Sequence, residues 1–370
     1  MFGLGSHLKS IEELLRNTFG FVANKLKYRK TIAIILLTIL VWTVIVLTRI
    51  ALANSRRLPF VHWGPQEIDI SCHYSNEEDS LQPIDENFQP PPKSIFFHET
   101  SCRKNLDPRQ ACAVESAARV NNKWQINIIF AGALDNKTLN SGRLAALKKF
   151  ANVKFLRAHI EEYAKGTALE TIVANSGLSS TYWPVSQTSD VLRFLSLYKY
   201  GGVYLDLDVI VSRPFDTLAK NWAAKEGAEL IGSAAVAFSS DKMGKDMAET
   251  AINDMAKHFR GDLWTRNGPD VLTRILRTRC ETNLTARMSA KTCKGFEVYD
   301  PSFFFPIHWI YTRAYFDSGK LSALTNYAYG YHMWNRLTEQ YPIHEGSPYS
   351  RLAMKLCPTI FNMHLKEFGA

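Results

Sequence analysis

The run Tyr198-Lys-Tyr-Gly-Gly-Val-Tyr-Leu-Asp206-Leu-Asp208-Val-Ile-Val constrains this chain more than any other stretch. Its pattern predicts a helix ending at the glycine pair, then a β-branched and aromatic strand that carries two carboxylates one residue apart. Alternation along a strand sends positions 206 and 208 to one face. Like charges that close repel each other, and a bound cation is the simplest way to keep both ionised. Hard divalent ions such as Mg²⁺ or Mn²⁺ take oxygen ligands of this kind, with substrate phosphates completing the shell. Val203, Leu205, Leu207, Val209, Ile210 and Val211 read as a buried strand, so plain solvation of the aspartates is disfavoured. A charge-paired structural role is the bland alternative.

A second feature sets the compartment. Residues 31–48 form an 18-residue stretch without a charge. As a helix it would span roughly 27 Å, close to the hydrocarbon thickness of a bilayer. A cleaved signal peptide would have a shorter apolar region, although Ala51-Leu-Ala53 offers a cleavage-like site. Arg16, Lys25, Lys27, Arg29 and Lys30 precede the stretch, while Arg49, Arg56 and Arg57 follow it. That bias places the N-terminus in the cytosol. The expected layout is a cytoplasmic tail over 1–30, a transmembrane signal anchor over 31–50, a stem over 51–92 and a lumenal catalytic domain over 93–370, a type II membrane protein.

All six cysteines lie after the anchor, and no Cys-X-X-Cys or His/Cys cluster suggests zinc. Disulfides are the better reading in an oxidising lumen. Cys102/Cys112 and Cys280/Cys293 are close enough in sequence for local bridges, with connectivity left open. Asn136-Lys-Thr and Asn283-Leu-Thr are N-glycosylation acceptor triplets at Asn136 and Asn283. The net charge of +9 is scattered rather than blocked, which argues against nucleic acid as a partner. A basic domain suits anionic nucleotide sugars or a membrane surface.

Beyond Pro90-Pro-Pro92, strands and helices alternate. Ser94 to His98, Trp124 to Ala131, Val153 to Leu156 and Glu229 to Phe238 read as strands. Helices are expected from Asp107-Pro108 to Val120, from Ser141 to Phe150, from a cap at Ser186 or Thr188 to Gly201, and from Lys242 to Phe259. This alternation predicts an α/β domain with a mostly parallel sheet covered by helices, and ligands at the carboxyl ends of its strands.

Asp190 and Arg193 sit one helical turn apart in Ser189-Asp-Val-Leu-Arg193, and both can project from one face. A surface ion pair is the plain explanation; their place ahead of the Asp-X-Asp strand points instead to the cleft. The string SDVLRFLSLYKYGGVYLDLD resembles the signature of glycosyltransferases with an Asp-X-Asp sugar-binding region. FFHET with the helix ACAVESAAR, then NGPDVLTR, FFFPIHW and YGYHMWN follow in order. This series resembles the lactosylceramide 4-alpha-galactosyltransferase-like family of α1,4-glycosyltransferases over roughly Ser94 to Pro358.

The resemblance implies a GT-A fold, a UDP-sugar donor and Mn²⁺ or Mg²⁺ as cofactor. It assigns metal contacts to Asp206, Asp208 and His332, and donor-sugar or nucleotide contacts to Asp190, Arg193, Tyr204, Asp206, Glu99 and Trp334. Asp208 and Asp270 are the candidate catalytic carboxylates. Phe303 to Phe305 and Trp309 read mainly as core, and Glu115 as a structural helix residue. The implied activity is retaining transfer of galactose or N-acetylgalactosamine, from UDP-Gal or UDP-GalNAc, in α1,4 linkage to a glycosphingolipid at the Golgi membrane. Homo- or hetero-oligomeric assembly stays open. The rival readings are an Asp-X-Asp transferase using another hexose or a glycoprotein acceptor, an inactive lumenal carbohydrate-binding partner, and a metal-dependent phosphotransferase.

Overall fold

A computed structural model describes residues 36–47 and 68–370. Residues 36–47 are helical, and their apolar side chains other than Val46 lie exposed. No helix among the described residues is long and apolar enough to cross a membrane. The expected tail over 1–30, both ends of the expected anchor and stem residues 51–67 fall outside the described residues. The later part of the expected stem is no spacer. Ile70, Leu81 and Phe88 are buried, and a Cys72–Cys102 disulfide fastens this segment to the domain. Its acidic and proline-rich composition hid the few apolar anchors that dock it.

The described residues form ten strands: β1 (Gln82–Pro83), β2 (Ser94–Glu99), β3 (Gln125–Phe130), β4 (Val153–Arg157), β5 (Gly202–Leu205), β6 (Val209–Val211), β7 (Trp222–Lys225), β8 (Ile231–Phe238), β9 (Glu297–Tyr299) and β10 (Gly330–His332). Eight of them form one sheet in the order β1-β4-β3-β2-β5-β8-β7-β9, and β10-β6 make a small second sheet. Only β8 runs against its neighbours in the large sheet. The expected mostly parallel sheet flanked by helices is therefore the observed architecture. Central strands such as β2 and β8 are buried along their whole length, as strands covered on both faces must be.

Local signals account for the helices that carry the site. Asp107 accepts from the Gln110 backbone N–H and Gln110 answers the Asp107 N–H, a capping box that starts the Pro108–Val120 helix. Buried Glu115 in that helix accepts from the Thr359 and Ile360 N–H groups, capping a C-terminal helix in the structural role expected of it. The Pro184–Tyr200 helix starts earlier than expected, and neither Ser186 nor Thr188 caps it. Pro184 sets its first turn and holds Trp183 out of the α region. It ends where Gly201 and Gly202 take φ values of 68° and 97°, the left-handed region that glycine occupies without steric cost.

The Asp-X-Asp stretch departs from the strand reading. β5 ends at Leu205, and Asp206-Leu207-Asp208 forms a turn closed by a Val209 N–H to Asp206 C=O hydrogen bond of 3.1 Å. The apolar run around the aspartates is thus two short strands in two different sheets. Disulfides join Cys72–Cys102, Cys112–Cys357 and Cys280–Cys293. The last is one of the two local bridges the spacing suggested; Cys102 and Cys112 take Cys72 and Cys357 as partners instead.

Candidate active site

The turn after β5 delivers both aspartates to one cleft, and the second sheet supplies the residue that faces them. β10 pairs antiparallel with β6, with His332 opposite Val209. His332 Nε2 lies 3.1 Å from Asp208 Oδ1 and 3.9 Å from Asp206 Oδ2. One ligand atom from each of the three fits within a 4.8 Å group. Asp208 Oδ2 also accepts the Asn335 backbone N–H at 2.6 Å, which fixes its rotamer.

Burial pushes the Asp208 carboxyl up, but the adjacent His332 and the Asn335 N–H outweigh it and hold it below the usual range. The same pairing overcomes burial at His332 and raises its proton affinity. Each group thus favours the charged form of the other. Carboxylate oxygens and an imidazole nitrogen converging in this cleft are a donor set that can hold a divalent metal ion. His332 Nδ1 is buried with no hydrogen-bond partner, so the ring is oriented by packing rather than by a polar second contact. Phe305 meets it edge-on and Trp334 lies 4.3 Å away, ring centre to ring centre.

The Pro184–Tyr200 helix contributes the cationic half. Arg193 is 2.9 Å from Asp190 and 3.2 Å from Asp206 Oδ1. Its Nη1 donates to the Ser233 carbonyl at 2.7 Å and hydroxyl at 2.5 Å, and its guanidinium lies 4.5 Å over the Tyr204 ring. Tyr204 in turn donates to Asp206 Oδ1 at 2.6 Å and pairs with the Ser189 hydroxyl at 2.9 Å. Burial works against the Arg193 charge, and Asp206, Tyr204 and Asp190 together overcome it. Burial raises the Asp190 carboxyl to about 7 against the pull of Arg193, with Asp206 adding to the rise.

Of the residues expected from sequence, Glu99, Asp190, Arg193, Tyr204, Asp206, Asp208, His332 and Trp334 all line this cleft. Glu99 is buried and accepts from the Ser101 N–H at 2.9 Å, so its carboxylate is already engaged at the strand end. Trp334 donates from Nε1 to the Ile307 carbonyl at 3.0 Å. Asp270 is not among the lining residues; it stands in the first turn of the Pro269–Arg279 helix, half-buried, while its neighbour Pro269 lines the wall. Phe304 and Phe305 are core as expected, whereas Trp309 reaches the cleft. Asn136 and Asn283 are both exposed.

Glu226, Ser233 and Trp264 also line the cleft and were missed. Only Glu226 had a sequence signal, a lone acid before a glycine in Lys225-Glu-Gly-Ala228, and that pattern is common in turns.

Comparison with known proteins agrees with this geometry. Residues 107–226 match the glycosyltransferase sugar-binding region containing DXD motif, and residues 240–364 match the alpha 1,4-glycosyltransferase conserved region. The lactosylceramide 4-alpha-galactosyltransferase of Homo sapiens is 29% identical over 279 residues, 73% of this chain and 77% of that protein. Its Rattus norvegicus counterpart is 28% identical over 276 residues, 72% of this chain and 75% of that protein. The human alpha-1,4-N-acetylglucosaminyltransferase is 24% identical over 252 residues, 67% of this chain and 73% of that protein. The chain carries both the DXD sugar-binding region and the alpha 1,4-glycosyltransferase conserved region, is similar to the lactosylceramide 4-alpha-galactosyltransferases over nearly three quarters of its length, and is a glycosyltransferase.

Proposed function

We propose that this enzyme transfers galactose or N-acetylgalactosamine from UDP, with retention of configuration, in α1,4 linkage to the terminal sugar of a glycosphingolipid. The observation that carries the reading is the convergence of Asp206, Asp208 and His332 beside the Asp190–Arg193 pair in one cleft. A divalent ion held by those three residues would supply Lewis-acid charge for the diphosphate. Arg193 adds fixed positive charge where negative charge grows on the departing UDP. Asp190, anchored by Arg193 and lining the cleft, would accept hydroxyls of the donor hexose. Trp334 and Trp309 wall the cleft and reduce the water that would hydrolyse the donor.

The proposed setting is the Golgi membrane, with residues 31–50 as signal anchor and the catalytic domain lumenal. Supporting it are the uncharged stretch 31–48, the exposed apolar helix over 36–47 and three disulfides. Tethering would raise the effective concentration of an acceptor that itself lies in the membrane.

The test is consumption of UDP-Gal, UDP-GalNAc, UDP-Glc and UDP-GlcNAc with Mn²⁺ and glycolipid acceptors, followed by linkage analysis of the product. Asp208→Asn keeps an oxygen for the Asn335 N–H but loses the carboxylate charge. It should lower transfer by about 10³-fold or more while leaving the fold intact. Turnover preserved in that variant would defeat the metal assignment. A GlcNAc product would align the chain with its N-acetylglucosaminyltransferase relative instead.

A further inference from the structure

One indole in the cleft has no task in the scheme above. Trp264 lines the cleft from the loop that joins the Lys242–His258 helix to the Pro269–Arg279 helix. That loop is built rather than loose. Buried Asn267 staples it, accepting the Arg260 N–H at 3.1 Å and donating to the Arg260 carbonyl at 2.8 Å. The Thr265 carbonyl accepts from the Asp270 N–H at 3.0 Å. The Gly261 carbonyl accepts from the Tyr182 N–H at 2.7 Å and from the Gln187 side chain at 3.0 Å. Gln187 belongs to the helix that carries Asp190 and Arg193, so the loop and the charged pair share one support.

Aromatic packing sets the plane of the ring. Trp264 meets buried Trp183 edge-on, with ring centres 5.2 Å apart and planes at 87°. Trp183 meets Tyr182 in the same manner at 5.7 Å and 73°. Such T-shaped contacts are favourable and directional, so the indole is held before any ligand arrives. Its neighbours place it along the cleft. Leu263, just before it, is exposed, as is Tyr182. Gly268, four residues after it, abuts the Asp190 carboxylate. The loop thus runs from an exposed apolar rim, past Trp264, to the wall of Asp190.

We propose that Trp264 determines acceptor specificity: its ring stacks on the terminal sugar of the acceptor and favours one whose 4-hydroxyl is axial, as in galactose. This rests on the glycosyltransferase reading of the same cleft. The donor hexose lies against Asp190 and Arg193 in that reading, so the acceptor comes in beside it from the rim, where Trp264 stands. A galactose ring carries its axial 4-hydroxyl on one face, while the hydrogens of C3 and C5 lie on the other. Lying on the indole by that C–H face, it buries apolar surface and keeps the 4-hydroxyl turned away from the wall, open to the donor. In glucose the 4-hydroxyl is equatorial. A glucose ring stacked in the same way points that hydroxyl along the indole surface instead.

The experiment uses the whole protein with Mn²⁺, the UDP-hexose it consumes, and two acceptors on the same lipid, a terminal β-galactoside and a terminal β-glucoside. Trp264→Leu keeps apolar bulk against Trp183 but loses the flat face. It should raise KM for the galactoside by about 10 to 100-fold. KM for the UDP-hexose should move by no more than about twofold. Trp264→Phe should recover most of the loss, and the preference for galactoside over glucoside should fall in the order wild type, Phe, Leu. A ring that only supports the loop would lower melting and kcat while leaving acceptor KM and preference as in the wild type, and that result overturns the assignment. So does a rise in KM for the UDP-hexose in place of the acceptor, or a wild type that prefers the glucoside. If the wild type consumes no UDP-hexose at all, the transferase reading of the cleft fails; transfer with an unmoved acceptor KM in Trp264→Leu sinks the role of Trp264 alone.

Discussion

Gly268 stands against Asp190 so closely that a Cβ there would press on Oδ1 and lie 3.0 Å from Cγ of the carboxylate. The same Cβ would lie 2.8 Å from the Ser233 hydroxyl, itself bonded to Arg193. The backbone of Asn267-Gly-Pro-Asp270 therefore forms one wall of the Asp190–Arg193 pair. The role expected of Asp270 belongs in part to the glycine two residues before it.

Gly268→Ala should displace Asp190 and loosen Arg193 without touching any group that would ligate metal. Overpacking of this kind costs about 1–3 kcal/mol. The expected kinetic result is a fall of about 10 to 100-fold in kcat/KM for the UDP-hexose, from misplacement of the donor site. Steady-state kinetics beside a denaturation curve would check it. An alanine variant with wild-type kcat/KM would show that Asp190 does not position the donor.

The Cys112–Cys357 bridge ties the Pro108–Val120 helix to the C-terminal end across 245 residues, and Cys280–Cys293 spans 13. On a chain-entropy view the first should stabilise by about 5 kcal/mol and the second by about 3 kcal/mol. Paired Cys→Ala variants measured by urea unfolding should follow that order. A larger loss from the short bridge would mean that local packing, not loop closure, dominates.

These contrasts show which parts of the site sequence could carry. Asp107-Pro108 and Gly201-Gly202 announce a helix start and stop because caps and positive φ depend on the residues themselves. Asp190, Arg193, Asp206 and Asp208 are legible because their spacing is local. The Asp206–Asp208 turn was not, since its only interruption of the apolar run is the functional residues themselves. Cys112 and Cys357 meet only once the whole domain has folded. Glu226 lies in the β7–β8 turn beyond a register shift between Ala223 and Ala224, and such a shift leaves no periodic trace in the sequence.

Trp334 has φ 56° and ψ 47°, a left-handed backbone unusual for a bulky side chain. His332 and Asn335 hold it there from either side, through β10 and the Asp208 contact. Replacing Trp334 by alanine keeps the strain; replacing it by glycine removes it. Both lose the ring beside His332 and the bond to the Ile307 carbonyl, so both should lose transfer. The glycine variant should be more stable than the alanine one by about 1 kcal/mol. Equal melting temperatures would show that the backbone relaxes once the indole is gone.

The raised Glu226 carboxyl makes a stability prediction with a definite sign. Folded, it titrates at about 7; its ordinary value is 4.5. Between those values the folded state binds the proton that the unfolded chain releases, so this group's penalty is full above pH 7. It shrinks as pH falls and is gone below 4.5. A shift of this size bounds the penalty at about 3 kcal/mol. Glu226→Gln lacks it. Under chelator, the variant should melt above the wild type at pH 8, and the gap should close steadily toward pH 4.5. Mn²⁺ should narrow the pH 8 gap, because positive charge at Asp206, Asp208 and His332 keeps the neighbouring carboxylate ionised at less cost. A gap that stays constant across this range would mean that the Glu226 carboxyl holds its proton no more tightly in the folded chain than in the unfolded one.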